Sequence, residues 1–114
     1  MALVKESEFQ SQVIEFAQRS GWCVAHFRPV RVQRKDGSVY YETPVQADGA
    51  GFVDLLMIHE VTGRIIAAEL KATNGKLSGA QSKWMTLFMN SPAEWYVWYP
   101  EDFEMIVSIL RKEK

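Results

Sequence analysis

The sequence predicts an α/β fold in which helices cover a mixed sheet. Apolar residues recur at helical spacing in separate segments, and short β-prone apolar runs lie between those segments. The predicted order is helix, at least three strands, helix, strand and helix, which is typical of a layered α/β domain. A chain of 114 residues has room for one hydrophobic core, so residues 1–114 are predicted to form a single domain.

The first predicted helix runs from about Ser7 to Arg19. Phe9 and Val13 belong to its apolar stripe, and Gly21 is a residue type suited to ending a helix. The β-prone run from Trp22 to Arg28 follows and predicts the first strand.

A hairpin is predicted from Val30 to Tyr41. An Asp-Gly pair at positions 36 and 37 is a strong turn signal between two runs with strand character. A loop then leads to the next strand, and Gly49 and Gly51 give it backbone conformations that other residues avoid.

Two apolar strands are predicted next, from Phe52 to His59 and from Arg64 to Lys71. Residues 60–63 have the composition of a turn, which would join the two strands as a hairpin. In such a hairpin the start of the first strand lies beside the end of the second.

The last part of the chain predicts a helix, a strand and a second helix. Ser78 and Gln81 have the spacing of a capping box, and the helix that they begin stops near Ser91. An aromatic-rich strand is predicted from Glu94 to Tyr99, and a final helix from Pro100 to Leu110.

The composition is that of a folded protein without a membrane segment. Hydrophobic residues make up 47% of the chain and charged residues 24%. No apolar run reaches the roughly 18 residues that a spanning helix needs, and the first residues lack the apolar stretch of a secretory signal. We therefore expect a cytoplasmic protein. The single cysteine, Cys23, cannot form an internal disulfide and is predicted to be a small buried hydrophobic residue.

The charges are segregated along the chain, although the net charge is only −1. Residues 64–83 contain Arg64 and three lysines against Glu69, whereas residues 84–110 hold four acidic residues and no Lys or Arg. A basic face for a polyanion explains this distribution, and chance scattering of solvated charges explains it equally well. The candidate nucleic-acid contacts are Arg28, Arg31, Arg34, Lys35, Lys76 and Lys83.

Three charged residues are predicted to converge at one edge of the sheet. Asp54 lies near the start of an otherwise apolar strand, and Glu69 and Lys71 lie near the end of the next one. Side chains alternate along a strand, so Glu69 and Lys71 point to the same face. Pairing of the two strands as a hairpin would make Asp54 and Glu69 neighbours.

Two carboxylates close together in a partly dry site repel each other, so this pair needs a cation. Oxygen ligands suit Mg²⁺ or Mn²⁺, which accept phosphate oxygens and lower the pKa of a bound water. Lys71 could orient that water, assist its deprotonation or stabilise the charged transition state. Taken singly, each charged residue is more readily explained as a turn residue or a surface ion pair. Together, in an apolar strand where unpaired charge is costly, they favour phosphodiester hydrolysis.

Three sequence runs resemble a known family. Asp54 followed by the Glu69-Leu70-Lys71 triplet looks like the PD-(D/E)XK nuclease signature, which implies a restriction-endonuclease-like core. More narrowly, GFVDLLMI, AAELKATNGKLS and GAQSKWM together resemble the virus-type replication and repair nuclease domain, VRR-NUC. The resemblance extends from about Glu8 to Asp102. E-x-K alone is a weak motif, but the three runs in this order make the match fairly specific.

The resemblance implies roles for individual residues. The catalytic residues would be Asp54, Glu69, Lys71 and Gln81. The metal ligands would be Asp54, Glu69, the main-chain carbonyl of Leu70 and, on the first helix, Glu8. Gln81 would order the lysine, the water or the phosphate, and Glu15 on the same helix stripe competes with Glu8. Val53 stands where the family usually has proline, which fixes φ but contributes no chemistry.

The expected activity is that of a Mg²⁺- or Mn²⁺-dependent endonuclease that cleaves DNA. Branched DNA such as a Holliday junction is the preferred substrate, with flaps or nicked duplex close behind, and a two-fold branched substrate suits a homodimer. Two other functions stay open at this point. One is a catalytically inert nucleic-acid-binding module, and the other is a domain whose basic hairpin docks a partner protein.

Overall fold

A computed structural model of the chain describes residues 6–27, 30–42 and 45–112. The helices are α1 (Glu6–Arg19), α2 (Gly79–Met89) and α3 (Phe103–Arg111), and a 3₁₀ turn at Pro100–Asp102 precedes α3. The strands are β1 (Trp22–His26), β2 (Val30–Gln33), β3 (Val39–Glu42), β4 (Leu55–His59), β5 (Ile65–Leu70) and β6 (Glu94–Trp98). The predicted order of helices and strands is confirmed.

The main sheet is mixed, as predicted. Its strands lie in the order β1-β4-β5-β6, with β4 antiparallel to both of its neighbours and β6 parallel to β5. A parallel pair needs a crossover connection, and α2 lies in the segment that joins β5 to β6.

The strand predicted from Phe52 begins only at Leu55 in the structure. The amide of Phe52 donates to the carbonyl of Gly49 at 3.0 Å, which closes a turn where strand was expected. The side chain of Asp54 accepts from the amide of Leu70 at the end of β5, and its carbonyl accepts from the amide of Phe27, just after β1. The predicted strand was therefore three residues too long at its start.

One face of the sheet packs against α1 and α3 and forms the core. Phe16 of α1 meets Phe103 at the start of α3 edge to face, with ring centroids 6.4 Å apart. The buried members of this core are Phe9, Val13, Ala17, Trp22, Leu55, Met57, Ile66, Ala68, Leu70, Trp98, Ile106 and Leu110. The apolar stripe predicted for the first helix therefore faces this core.

The opposite face of the sheet is covered only in part. Alternation along β5 directs Ile65, Ala67 and Glu69 to this face, and α2 packs against it beside β6. Where no helix covers β1, Cys23 is exposed, so the prediction that it is buried was wrong. Position on an uncovered strand face, rather than residue type, decides its exposure.

The predicted basic hairpin is a separate two-stranded sheet of β2 and β3. Gly37 has a φ of 92°, which supplies the left-handed residue that its turn requires. The turn is closed by the amide of Gly37, which donates to the carbonyl of Arg34 at 3.0 Å. Arg28, one of the predicted nucleic-acid contacts, lies outside the described residues.

Arg64 is neither part of a basic surface nor a solvated charge, the two explanations that the charge distribution left open. It is 9% exposed, and its guanidinium pairs with Glu94 at 2.8 Å. An arginine that is buried and paired in this way adds little positive potential to the surface that a polyanion would contact. Within the described ranges, no helix is long and apolar enough to cross a membrane.

Candidate active site

Asp54 and Glu69 lie side by side at one edge of the main sheet. Leu55 pairs with Ala68 across β4 and β5, which places the preceding Asp54 beside the following Glu69. The amide of Leu70 donates to Oδ2 of Asp54 at 2.7 Å, so the carboxylate is tied to the end of β5. The structure therefore brings the two predicted carboxylates together.

The environment of this pair disfavours two negative charges. Glu69 is only 1% exposed, and burial followed by the charge of Asp54 raises its pKa to about 8. Burial also raises the pKa of Asp54, although the amide of Leu70 and the charge of Lys71 act in the opposite direction. Without a cation, the pair is most stable when the two carboxyl groups hold a proton.

One oxygen of this pair is left without a donor. Oε1 of Glu69 is buried and has no hydrogen-bond donor among the residues that the structure describes. A buried carboxylate oxygen in that position is costly unless it gains a cation or a proton. Two adjacent carboxylates and an unfilled acceptor fit the oxygen donor set of Mg²⁺ or Mn²⁺.

Gln81 links the predicted lysine to the buried glutamate. Nζ of Lys71 donates to Oε1 of Gln81 at 2.9 Å, and Nε2 of Gln81 donates to Oε2 of Glu69 at 3.0 Å. The prediction from the family resemblance that Gln81 lies beside the lysine agrees with this geometry. A side-chain amide suits this position because it can accept from the ammonium of Lys71 and donate to the carboxylate of Glu69 at the same time.

The start of α2 fixes the orientation of Gln81. Oε1 of Gln81 accepts from the amide of Ser78 at 2.9 Å, and the amide of Gln81 donates to Oγ of Ser78 at 3.1 Å. The predicted capping box is therefore present. Gln81, which completes the capping box with the N-cap residue Ser78, also accepts from Lys71, so the helix start and the site are a single hydrogen-bonded unit.

The loop before Asp54 is pressed against α2. Gly51 has a φ of 73°, and a Cβ built on it would lie 2.4 Å from the main chain of Ala80. Phe52 meets Trp84 edge to face at 4.8 Å, and Nε1 of Trp84 donates to the carbonyl of Ala50 at 3.1 Å. These contacts fix Asp54 and Gln81 relative to each other, although they come from different elements.

His26 lies closer to the site than the sequence indicated. It lacks a Cys or His partner at metal-ligand spacing in the sequence, which favours a structural role, yet its charge is one of the influences that lower the pKa of Asp54. The cause is the register of β1, which places His26 opposite Leu55, while the amide of Phe27 donates to the carbonyl of Asp54 at 2.8 Å. The short-range sequence pattern carries no signal for this non-local pairing.

His59 also lacks a Cys or His partner at metal-ligand spacing in the sequence, and it has a structural role. Its Nδ1 accepts from the amides of Val61 and Thr62 at 3.1 and 3.2 Å, and Nε2 lies 2.9 Å from the carbonyl of Ser20. These bonds hold the turn between β4 and β5 at the end of the sheet away from Asp54.

The carboxylate predicted from α1 does not complete a cluster. No group of three His, Cys, Asp or Glu side chains that could hold a metal is present within residues 6–27, 30–42 and 45–112. Glu15 is bound to Arg19 at 2.6 Å on the surface, and Arg19 borders a cavity with His59, at the far end of β4. Glu8 is exposed in the first turns of α1, so its predicted role as a ligand stays a prediction.

The basic residues predicted to contact nucleic acid lie on the surface wherever the structure describes them. Arg31, Arg34 and Lys35 of the hairpin and Lys76 and Lys83 near α2 are all exposed. Arg34 lies over the ring of Tyr40 at 4.1 Å, which holds its side chain along the hairpin.

Comparison with known proteins gives two matches. The sequence model of the VRR-NUC domain matches residues 33–101. A solved structure described as a VRR_NUC domain superposes with a TM-score of 0.63 over 96% of this chain and 97% of that chain, at 20% sequence identity. That second likeness shows the fold. Among curated protein sequences, none matches this chain significantly.

Proposed function

Because the chain belongs to the VRR-NUC domain family, a nuclease-type family, we propose that it is a metal-dependent endonuclease that hydrolyses DNA phosphodiester bonds. The observation that carries this proposal is the buried Glu69 beside Asp54, with one oxygen that lacks a donor among the described residues. A carboxylate with a purely structural role would be paired or exposed, whereas Glu69 is buried with an unfilled oxygen that could bind a cation.

The pair Asp54 and Glu69 would hold Mg²⁺ or Mn²⁺, with the main-chain carbonyl of Leu70 and the side chain of Glu8 as proposed further ligands. A bound divalent ion supplies charge stabilisation to a phosphate and acidifies a water. The remaining roles in the reaction are proposed for side chains of the protein.

Lys71 is the residue proposed to act on the scissile phosphate or the attacking water. An ammonium has three N–H donors, and the bond to Gln81 occupies one of them. The remaining donors can bind a phosphate oxygen or orient the water. Gln81 keeps the ammonium in place through its bonds to Ser78 and Glu69, so the lysine is oriented before substrate arrives.

The hairpin of β2 and β3 is proposed to bind the DNA backbone. It begins three residues after Phe27, whose amide donates to the carbonyl of Asp54, so the chain leads to it directly from the site. A two-stranded ribbon with exposed cations can follow phosphates, and its exposed Tyr41 can stack on a base. The proposed contacts are Arg28, Arg31, Arg34, Lys35, Lys76 and Lys83.

Branched DNA, including Holliday junctions, is the proposed substrate class, and a homodimer is the proposed active assembly. A junction has approximate two-fold symmetry, so two copies of one site can meet two of its strands in the same way. Sedimentation of the protein with and without a junction tests the assembly, and a monomer in both conditions would rule it out.

The test of the activity is incubation of labelled junction, flap and linear DNA with wild type and Lys71→Ala. Each reaction is run with Mg²⁺, with Mn²⁺ and with EDTA. Lys112→Ala is the matched control, since Lys112 is an exposed lysine near the other end of the fold. Cleavage is expected from wild type and Lys112→Ala with either metal, and from neither in EDTA.

An inert nucleic-acid-binding module gives a different pattern. Binding would persist without divalent metal, no strand would be cut, and Asp54→Ala would leave every measured property unchanged. That set of results would overturn the proposed activity while leaving the family assignment intact.

A further inference from the structure

The segment between Lys71 and the start of α2 packs on the lysine itself. We call residues 72–77 the Gly75 loop. A Cβ built on Gly75 would lie 3.2 Å from Cβ of Lys71 and 3.5 Å from its Cδ. The φ of Gly75 lies outside the left-handed region, so the space beside Lys71 and the carbonyl of Ala72, rather than backbone conformation, is what favours glycine.

Tyr99 holds this loop from the end of β6. Its hydroxyl donates to the carbonyl of Gly75 at 2.9 Å, and its own amide donates to Oδ2 of Asp102 at 3.0 Å. A second tie joins Oγ1 of Thr73 to Oε2 of Glu101 at 3.1 Å on the surface. The loop is therefore anchored to the segment that follows β6.

The end of β6 holds the main chain of the lysine. The amide of Lys71 donates to the carbonyl of Trp98, the residue before Tyr99, at 2.9 Å. Lys71 is thus fixed at its backbone by Trp98 and at its ammonium by Gln81, and its stem lies beside Gly75. A lysine side chain otherwise has several rotatable bonds and a large rotamer entropy.

We propose that Tyr99 is a positioning residue for Lys71 and acts by pressing Gly75 against the lysine stem. This inference rests on the proposed function, because it assumes that the place of the Lys71 ammonium matters for cleavage. It assigns Tyr99 no contact with substrate. The hydroxyl donates its hydrogen bond to the carbonyl of Gly75, and the aromatic ring places the hydroxyl at that carbonyl.

Loss of the tie should affect the reaction more than substrate binding. In Tyr99→Phe the carbonyl of Gly75 loses its donor, the loop relaxes, and Lys71 samples more rotamers. An interaction that matters mainly in the transition state changes kcat rather than KM. The expected loss in kcat is about tenfold, with KM changed less than about twofold, since small displacements of catalytic groups have effects of this order.

Gly75→Ala tests the other side of the contact. The added methyl group would press on the stem of Lys71 and on the carbonyl of Ala72, which would lie 3.0 Å away. The expected loss in kcat is about 10- to 100-fold. Gly79→Ala is the matched control, because a Cβ there has nothing within 4 Å among the described residues and should leave kcat unchanged.

Two readouts separate positioning from a general structural effect. In the Lys71→Ala background, Tyr99→Phe should cause no further loss of single-turnover rate, because the residue on which it acts is gone. In the full chain with ¹³C-labelled lysine, the methylene resonances of Lys71 should move toward those of a mobile lysine in Tyr99→Phe and Gly75→Ala, but not in Gly79→Ala.

The results decide between the two proposals. If wild type cleaves and Lys71→Ala cleaves much more slowly, but Tyr99→Phe and Gly75→Ala match wild type in kcat and in the lysine resonances, the positioning role is wrong. A rise in KM alone, or an equal loss in the Lys71→Ala background, would also overturn it. If wild type cleaves nothing, the proposed function fails, and the lysine resonances still show whether Tyr99 confines Lys71.

Discussion

The two ends of β5 treat buried charge in opposite ways. Arg64 precedes the strand and Glu69 lies near its end, and they are 9% and 1% exposed. Arg64 donates to both carboxylate oxygens of Glu94 at 2.8 Å, and its Nη1 donates to the carbonyls of Ile109 and Lys112 at 3.0 and 2.7 Å. Glu69 instead has a buried oxygen with no donor among the described residues.

The electrostatics show the same contrast. The hydrogen bonds between Arg64 and Glu94 raise the pKa of the arginine and lower that of the glutamate, so each favours the charged form of the other. At the other end, burial and Asp54 raise the pKa of Glu69. A buried charged group whose hydrogen-bonding atoms all have partners stabilises the fold, whereas one with an unfilled acceptor can bind a ligand. We call the Arg64 end of β5 the complete end and the Glu69 end the incomplete end.

The largest expected effect comes from neutralising the incomplete end. Glu69→Gln keeps the shape and can still accept from Nε2 of Gln81, but it removes the charge that would hold a divalent ion. Cleavage should fall by about 10³-fold or more, measured as single-turnover rate. In EDTA at pH 8 the free energy of unfolding should rise, because a repulsive pair is gone.

Glu104→Gln is the control for that variant, since Glu104 is an exposed glutamate of α3. It should change neither rate nor stability. Loss of stability in Glu69→Gln without metal would contradict the description of this end as incomplete.

Breaking the complete end should cost stability instead of activity. Arg64→Met keeps the apolar stem but leaves two carbonyls without their donor and removes the guanidinium from Glu94, which keeps its bond from the hydroxyl of Tyr96. The expected loss is about 3 kcal/mol of unfolding free energy. The site lies at the opposite end of the strand, roughly 16 Å away at the rise of a β-strand. The rate per folded molecule at low temperature should therefore stay within about twofold of wild type.

Arg111→Met provides the comparison for Arg64→Met. Arg111 is exposed and lies over the ring of Phe16 at 5.2 Å, a contact of about 0.5–1 kcal/mol. Urea denaturation of the two variants measures the difference. Equal stability of the two would show that the bonds of Arg64 contribute no more than a surface contact.

The pH dependence of stability should separate the ends without any mutation. The folded pKa of Glu69 is about 8 against an ordinary 4.5, so between these values the folded state holds more protons than the unfolded state. In EDTA its contribution to the free energy of unfolding is full below about pH 4.5, decreases above that value and is lost as the pH rises through about 8. Urea denaturation from pH 5 to 9 measures this decrease.

The acid side of the same curve belongs to the complete end. The pKa of Glu94 is lowered, so its contribution is present above the ordinary value and is lost as the pH falls. In Glu69→Gln the decrease toward pH 8 should disappear while the acid limb stays. If the decrease toward pH 8 is unchanged in Glu69→Gln, another group causes it.

The sequence predicts the Glu69 end of β5 better than the Arg64 end. Alternation along one strand and one hairpin suffice to bring Glu69, Lys71 and Asp54 together, since these are short-range patterns. The link through Gln81 was expected only from the family resemblance, because it depends on how α2 packs. The approach of His26 depends on the register of β1 and β4, which no local pattern fixes.

The Arg64 end could not be predicted in this way. In the sequence, Arg64 reads as part of a basic segment, and its partners lie 30 to 48 positions further along the chain. Their meeting depends on the parallel pairing of β5 with β6 and on the docking of α3, both of which are tertiary events. Charge counting along the chain therefore placed on the surface an arginine that the fold buries.

The smallest expected effect is the one that would make the two ends alike. A divalent ion bound by Asp54 and Glu69 would give the orphan oxygen its partner, so Mg²⁺ should raise the free energy of unfolding at pH 8. At a tenfold excess over the dissociation constant the gain is about 1.4 kcal/mol, measured by urea denaturation with Mg²⁺ and with EDTA. Glu69→Gln should lose this gain, whereas Arg64→Met should keep it on a lower baseline, because its change lies at the other end. If the gain persists in Glu69→Gln, the ion binds elsewhere, and a metal site at this end of β5 does not explain the unfilled oxygen of Glu69.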